Sequence, residues 1–160
     1  MIARVLAVTL AAASLAAGDV GALRRHLDAE VARHERALAD ARVEVAIDGD
    51  AVLLRGTVRL YRQKMLYEQI AWRAPGVREV ENEVQVVPLL PATDAEIERQ
   101  IVGLAKLARF QGVGLQATVR DGRVAVSGTF HDPADVFFLK HRLAEIEGVR
   151  DIAIAASFAV

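Results

Sequence analysis

The chain has 160 residues, 20 Lys and Arg against 21 Asp and Glu, a net charge of -1 and no cysteine. This length allows one ordinary domain or two small ones, and the near-zero charge excludes the basic footprint of a duplex-binding protein. Without cysteine the chain has no disulfide framework, thiolate zinc site or thiol nucleophile. With 26% charged and 53% hydrophobic residues, the composition is typical of a folded chain. It favours a binding or structural module over an enzyme.

The N-terminal segment differs from the rest of the chain. Arg4 gives it a positive start, residues 5–15 are uncharged and mostly apolar, and Ser14 and Ala16 are the small residues of a cleavage site. This pattern predicts a cleavable secretory signal peptide at residues 1–17, and therefore export. The apolar run is short for a membrane-spanning helix, which needs about 20 residues. A retained N-terminal anchor remains the alternative.

The next part of the chain predicts helix, strand, strand, helix, strand. Asp19 is a candidate N-cap for a first helix with apolar residues at helical spacing. Alternating residues predict strands over 43–47 and 52–58, joined by a turn at Asp48-Gly49. A helix is predicted over 61–74, ended by Pro75-Gly76, and a third strand over 77–86.

The same order of elements then occurs again. Thr93 and Glu96 form a capping-box pattern that opens a helix. Strands are predicted near 115–119 and 124–130, a helix from Pro133, and a last strand over 149–158. The matched turns, strands and Gly-Val pairs recur at nearly the same spacing in both parts, so the sequence predicts an internal duplication.

Six glycines recur at matched positions of the two copies: Gly49, Gly56, Gly76, Gly122, Gly128 and Gly148. We predict structural roles for all of them. The first glycine of each copy lies in a hairpin turn that needs positive φ. The second lies in a strand, where the missing side chain would let a helix approach closely. The third ends a helix.

These features resemble the BON domain. The first copy matches that family through Gly56-Thr57-Val58, Gly76-Val77 and Asn82, and the second copy departs from it by placing Ile154 where Asn82 stands. The resemblance spans residues 19–160 and divides them into BON-like domains at 19–88 and 94–160 with a linker at 89–93. It implies an α+β fold of two tandem αββαβ domains, each with two helices packed on a three-stranded mixed sheet. It also implies a periplasmic location, no catalysis, no cofactor and association with phospholipid membranes or other envelope components.

The inventory of reactive side chains points the same way. Beyond the N-terminal segment the serines are Ser127 and Ser157, both within predicted strands and outside a nucleophile motif. The four histidines lack the spacing of a zinc site. We therefore predict no enzyme activity, no metal site and no small-molecule substrate.

The helix after Thr93 carries a candidate lipid-binding surface. Arg99 and Lys106 lie together opposite the apolar stripe, with Arg109 to one side and Phe110 near them at the helix end. Cations beside an exposed aromatic residue are typical of contact with an anionic membrane surface. The alternative is a solvated face with Phe110 folded back over the following loop.

Large apolar side chains also lie on the outer faces of the second helix of each copy. Met65 and Trp72 face away from the first sheet, and Phe137 corresponds to Met65 in the second copy. We predict that these three side chains form an interface between the copies. The leading hypothesis for function is peripheral association with anionic phospholipid in support of envelope integrity or a stress response. The alternative is a periplasmic protein-interaction or chaperone-like module that uses the apolar helix faces.

Overall fold

The computed structural model describes residues 17–159 and contains two successive units, each with two helices and a three-stranded sheet. The predicted signal peptide at residues 1–17 lies outside the described residues except at Ala17.

The first unit contains α1 (Ala17–Arg33), β1 (Arg42–Asp48), β2 (Ala51–Val58), α2 (Tyr61–Arg73) and β3 (Glu79–Val86). The central strand β2 pairs antiparallel with β1 and parallel with β3. Because α1 already includes Ala17, Asp19 lies inside this helix, and the prediction that Asp19 is its N-cap is wrong.

The second unit contains α3 (Asp94–Ala105), a 3₁₀ turn (Ala108–Phe110), β4 (Gln116–Arg120), β5 (Arg123–Phe130), α4 (Pro133–Ala144) and β6 (Asp151–Phe158). Its strands pair as in the first unit, with β5 in the centre. The predicted capping box is confirmed: the Glu96 N–H donates to Thr93 Oγ1 over 3.3 Å, and the Thr93 N–H donates to Glu96 Oε2 over 2.8 Å. The α+β fold of two αββαβ units is therefore confirmed.

Each sheet buries one face against its own helices. In the central strand β2, Val52, Leu54 and Val58 are buried, and the residues between them are more exposed, because successive side chains of a strand point to opposite faces. The second core is larger and includes Phe110, Phe130, Leu139 and Leu143. Each unit therefore has a hydrophobic core of its own.

The strand glycines serve a purpose different from the predicted one. Gly56 has a φ of 134°, and a Cβ there would overlap the carbonyl oxygen of Arg42 in β1. At Gly128 a Cβ would lie 2.9 Å from Cγ1 of Val113, in the loop before β4. The neighbouring strand or loop makes the close approach, so the prediction of a closely packed helix is wrong. The remaining four, Gly49, Gly76, Gly122 and Gly148, adopt positive φ.

None of the helices within residues 17–159 combines the length and the apolarity that a membrane span requires.

Candidate functional site

The exposed face of α3 carries two cations beside two exposed apolar side chains. Val102 is 55% exposed, and Leu107, just beyond the helix end, is 39% exposed. Arg99 and Lys106 lie three residues before and four residues after Val102, so the three side chains share one helix face. Among residues 17–159, neither cation forms an ion pair. We call the surface formed by Arg99, Val102 and Lys106, together with Leu107 just beyond the helix end, the α3 face.

The opposite side of α3 fixes the orientation of this face. Ile97 and Ile101 are buried in the second core, which leaves the cations on the solvent side. Two acidic groups of the first turn, Asp94 and Glu96, are engaged at the other end of the helix, whereas the exposed Glu98 lies four residues before Val102 on the same side. Asp94 accepts hydrogen bonds from the N–H groups of Asp121 and Gly122 over 2.8 and 2.9 Å. Hydrogen bonds from the backbone and side chain of Thr93 hold the pKa of Glu96 below its ordinary value.

The expectation that Phe110 is an exposed aromatic residue is wrong. Its side chain is 3% exposed, and its ring centroid lies 6.5 Å from that of Phe130 and 6.1 Å from that of Phe138. The predicted helix continues to this residue, but α3 ends at Ala105 and the 3₁₀ turn directs the ring into the core. Phe110 is therefore excluded from a lipid contact. Val102 and Leu107, which the sequence analysis missed, are the exposed apolar residues beside the cations.

Arg109 contacts α4, unlike Arg99 and Lys106, which form no ion pair within residues 17–159. Its Nε lies 3.4 Å from Oδ1 of Asp135, and its guanidinium carbon lies 4.0 Å from the centre of the Phe138 ring. The ion pair and the cation–π contact hold this side chain over the core. The predicted lipid-binding set thus divides into two cations that form no ion pair with the described residues, one cation engaged by Asp135 and one core residue.

The two units contact each other through α2 and α4. Tyr61 and Met65 of α2 pack against the core of the second unit. Two ion pairs flank this contact: Arg59 Nη2 lies 3.1 Å from Glu147 Oε2, and Arg62 Nη1 lies 3.4 Å from Glu145 Oε1. Met65, one of the predicted interface residues, therefore lies between the units.

Glu147 connects both units and the segment between them. In addition to Arg59, it accepts hydrogen bonds from the N–H groups of Leu89 and Leu90 over 2.9 and 3.5 Å. Burial raises the pKa of this carboxyl, but the hydrogen bonds from Arg59, Leu89 and Leu90 outweigh that effect and lower it below its ordinary value. Nothing in the local sequence marks Glu147, because its partners come from distant parts of the chain.

Trp72 and Phe137 remain exposed beside the contact between the units. They are 49% and 68% exposed and line a groove of about 510 Å³ between α2 and α4. Lys140 and His141 also line this groove. The two aromatic residues flank the interface, whereas Tyr61 and Met65 fill it. Within residues 17–159, no three His, Asp or Glu side chains lie close enough together to hold a metal ion.

Two αββαβ units in succession place the protein in the α+β class. A BON domain is found at residues 19–88 of the chain.

No curated protein sequence matches the chain. A solved structure of the C-terminal domain of CdsD, the structural protein of the type III secretion system of Chlamydia trachomatis, is 16% identical with a TM-score of 0.31. The match covers 82% of this chain and 64% of that chain. A second CdsD structure from the same organism is 11% identical with a TM-score of 0.30, and the match covers 86% of this chain and 92% of that chain.

Proposed function

We propose that the chain is an exported, non-catalytic protein with tandem BON domains that associates peripherally with anionic phospholipid membranes and supports envelope integrity or a stress response. The α3 face carries this proposal. Arg99 and Lys106 have no acidic partner among the described residues, and Val102 and Leu107 expose apolar surface beside them. An exposed helix face that combines cations with apolar side chains is suited to the interface of a bilayer.

The magnitudes favour reversible association. Each cation near an anionic surface contributes about 1 kcal/mol, so Arg99 and Lys106 alone would bind weakly. Full burial of a Val or Leu side chain adds about 1.5–3 kcal/mol, and Val102 and Leu107 start partly buried. The α3 face therefore supplies charge and apolar area together, in amounts that suit reversible, peripheral association.

The BON domain at residues 19–88 supports the same function, because the family resemblance implies association with envelope membranes. The second unit has the same order and pairing of elements as the first, which is the basis for assigning it as a second BON domain. Export rests on the predicted signal peptide at residues 1–17.

Co-sedimentation with anionic and neutral phospholipid vesicles tests the proposal. We expect the parent protein to bind the anionic vesicles and to lose binding as salt is added, because exposed charges are screened. The double variants Arg99→Glu/Lys106→Glu and Val102→Ser/Leu107→Ser should both lose most of this binding.

A matched control reverses two exposed arginines elsewhere on the same unit. Arg120 and Arg123 face each other across β4 and β5 on the outer face of the sheet. Arg120→Glu/Arg123→Glu makes the same change in net charge and should keep most of the binding. Two outcomes would contradict the proposal. One is a parent protein that does not bind anionic vesicles, and the other is an Arg99→Glu/Lys106→Glu variant that binds them as the parent does.

The groove between α2 and α4 favours a second candidate function, a protein-interaction or chaperone-like module. The observation that favours this function is the pair of exposed aromatic side chains in the groove, Trp72 and Phe137. This function predicts that the parent protein does not bind vesicles. If the parent does bind vesicles, the variant Trp72→Ser separates the two surfaces: binding carried by the α3 face should survive this change, and binding lost with it lies in the groove.

A further inference from the structure

We infer that the free edge of β6 pairs antiparallel with β6 of a second copy of this chain, so that two three-stranded sheets become one sheet of six strands. The strands β3 and β6 are the matching outer strands of the two units. An outer strand presents unpaired backbone groups, and proteins usually block such an edge with charges, caps or coverage. The edge of β3 carries a side-chain cap, whereas residues 17–159 leave the edge of β6 open.

The backbone of β6 directs three amide groups away from its own sheet. The Ala159 N–H donates to the Phe130 carbonyl of β5 over 3.1 Å. Because the directions alternate along a strand, the odd-numbered residues of β6 face β5. The N–H and C=O groups of Ile154, Ala156 and Phe158 therefore point outward.

The corresponding edge of β3 carries a side-chain cap. The Val84 N–H donates to Oδ1 of Asn82 over 3.2 Å. The Asn82 amide is held in turn, donating to the Lys64 carbonyl over 3.3 Å and to Oε2 of Glu68 over 3.0 Å. In β6 the place of Asn82 is taken by Ile154, whose side chain has no acceptor. The outward amide that follows Ile154 therefore has no such cap.

The side chains show the same contrast. Val84 and Val86 of β3 are buried, and their registers match those of Ala156 and Phe158 in β6. Ala156 is exposed, and Phe158 is 48% exposed. In the part of the chain that the structure describes, the second half of β6 is thus an exposed, mostly apolar strand at a sheet edge.

Charge protects β3 and leaves β6 unprotected. Glu79, Glu81 and Glu83 lie along β3, whereas Asp151 is the single charged residue of β6. Asp151 caps the start of its strand, since its Oδ1 accepts the Ile152 N–H over 2.9 Å. The open stretch of β6 therefore begins at Ile154.

This stretch is complementary to itself. With a twofold axis at Ala156, Ala156 faces its own equivalent and Ile154 faces Phe158 of the second copy. Residues directly opposite each other in an antiparallel pair exchange both hydrogen bonds at alternate positions, so all three outward N–H groups find carbonyl acceptors. No like charges meet across the axis, and the pairing is closed, as an isologous interface requires.

A cavity beside the edge has room for the aromatic ring of the second copy. It has a volume of about 250 Å³ and is lined by Val136, Phe137, Lys140, Ile152 and Ile154. Phe158 of the second copy, placed opposite Ile154, lies at this cavity. The pairing would cover Phe158 and part of Phe137, two of the exposed aromatic side chains of the molecule.

Sedimentation velocity over a concentration series tests the inference on the protein as isolated. We expect the parent to be a dimer. Ala156→Lys places two ammonium groups opposite each other at the axis and should give a monomer, because like charges directly opposite destabilise a strand pair. The matched control Ala125→Lys adds the same charge at an exposed position of the central strand β5 and should remain a dimer. Both variants should keep the thermal unfolding midpoint of the diluted parent.

A second variant tests the edge directly. Ile154→Asn introduces the residue that caps the edge of β3, and it should weaken the dimer. Hydrogen exchange should show slower exchange of the Ile154, Ala156 and Phe158 amides as the parent concentration rises. A monomeric parent at every concentration, or a dimeric Ala156→Lys variant, would overturn the inference. Dissociation of the Ala125→Lys variant would place the contact on the sheet face and would also overturn it.

Discussion

Gln63 is the buried polar residue among those that the structure describes, and all its hydrogen-bonding groups are paired. Its Oε1 accepts the N–H groups of Arg59 and Leu60 over 2.9 and 3.0 Å, and its Nε2 donates to the carbonyls of Ala37 and Ala39 over 3.2 and 2.7 Å. One side chain thus joins the first turn of α2 to the segment after α1. A glutamine in a helix usually indicates a solvent-exposed position, so this role is not predictable from the local sequence.

At the scale of this residue, Gln63→Leu should lower the free energy of unfolding by about 1–3 kcal/mol or more, because it leaves several backbone groups buried without partners. The control Gln69→Leu makes the same change at an exposed position of α2 and should stay within about 0.5 kcal/mol of the parent. Urea denaturation measures both. Equal effects of the two substitutions would show that the Gln63 hydrogen bonds contribute little to stability.

At the scale of the element, α3 and the turn after it contain one residue that we expect to affect stability and one that we expect to affect membrane binding. Phe110 belongs to the core, whereas Val102 belongs to the α3 face. Phe110→Ala should lower the free energy of unfolding by about 3–5 kcal/mol, since it leaves a cavity among Phe130 and Phe138. Denaturant unfolding measures this loss.

Val102→Ser is the control at an exposed position, and we expect the free energy of unfolding of this variant to stay within about 0.5 kcal/mol of that of the parent. Its binding to anionic vesicles should nevertheless fall, because it removes apolar area from the α3 face. If Phe110→Ala left the free energy of unfolding unchanged and reduced vesicle binding instead, the assignment of Phe110 to the core would be wrong.

At the scale of the whole molecule, Glu147 couples the units in a pH-dependent way. The folded pKa of this carboxyl lies below its ordinary value, which is about 4.3 in an unfolded chain. Its contribution to stability is therefore fully present above the unfolded pKa and is lost as the pH falls through the folded pKa.

We accordingly expect Glu147→Gln to be less stable than the parent at neutral pH, with a difference that shrinks below pH about 4. Thermal unfolding across a pH series measures it. Glu98→Gln removes the same charge at an exposed position of α3 and should stay within about 0.5 kcal/mol of the parent at neutral pH. A Glu147→Gln deficit that is as large in acid as at neutral pH would show that the charge of Glu147 is not what couples the units.

The order of elements was predictable because it depends on local patterns. Apolar alternation defines the strands, helical spacing defines the helices, and the Thr93 capping box marks the start of α3, all within a few residues. The repeated turns at Gly49 and Gly122 predict two units of one topology. The contact between the units was predicted at the correct helix, α2, and Met65 lies within it.

What only the tertiary structure decided involves residues far apart in the chain. The burial of Phe110 depends on where α3 stops and on rings contributed by β5 and α4. The hydrogen bonds of Glu147 depend on how the first unit and the linker lie against the second. Likewise, Asn82 and Ile154 look like a simple exchange in a repeat. The difference matters because the backbone at a sheet edge points outward: the Asn82 side chain caps an outward amide of β3, whereas Ile154 leaves the matching amide of β6 without a cap. Local patterns fix which segments form, whereas long-range packing determines which of their atoms remain free to bind.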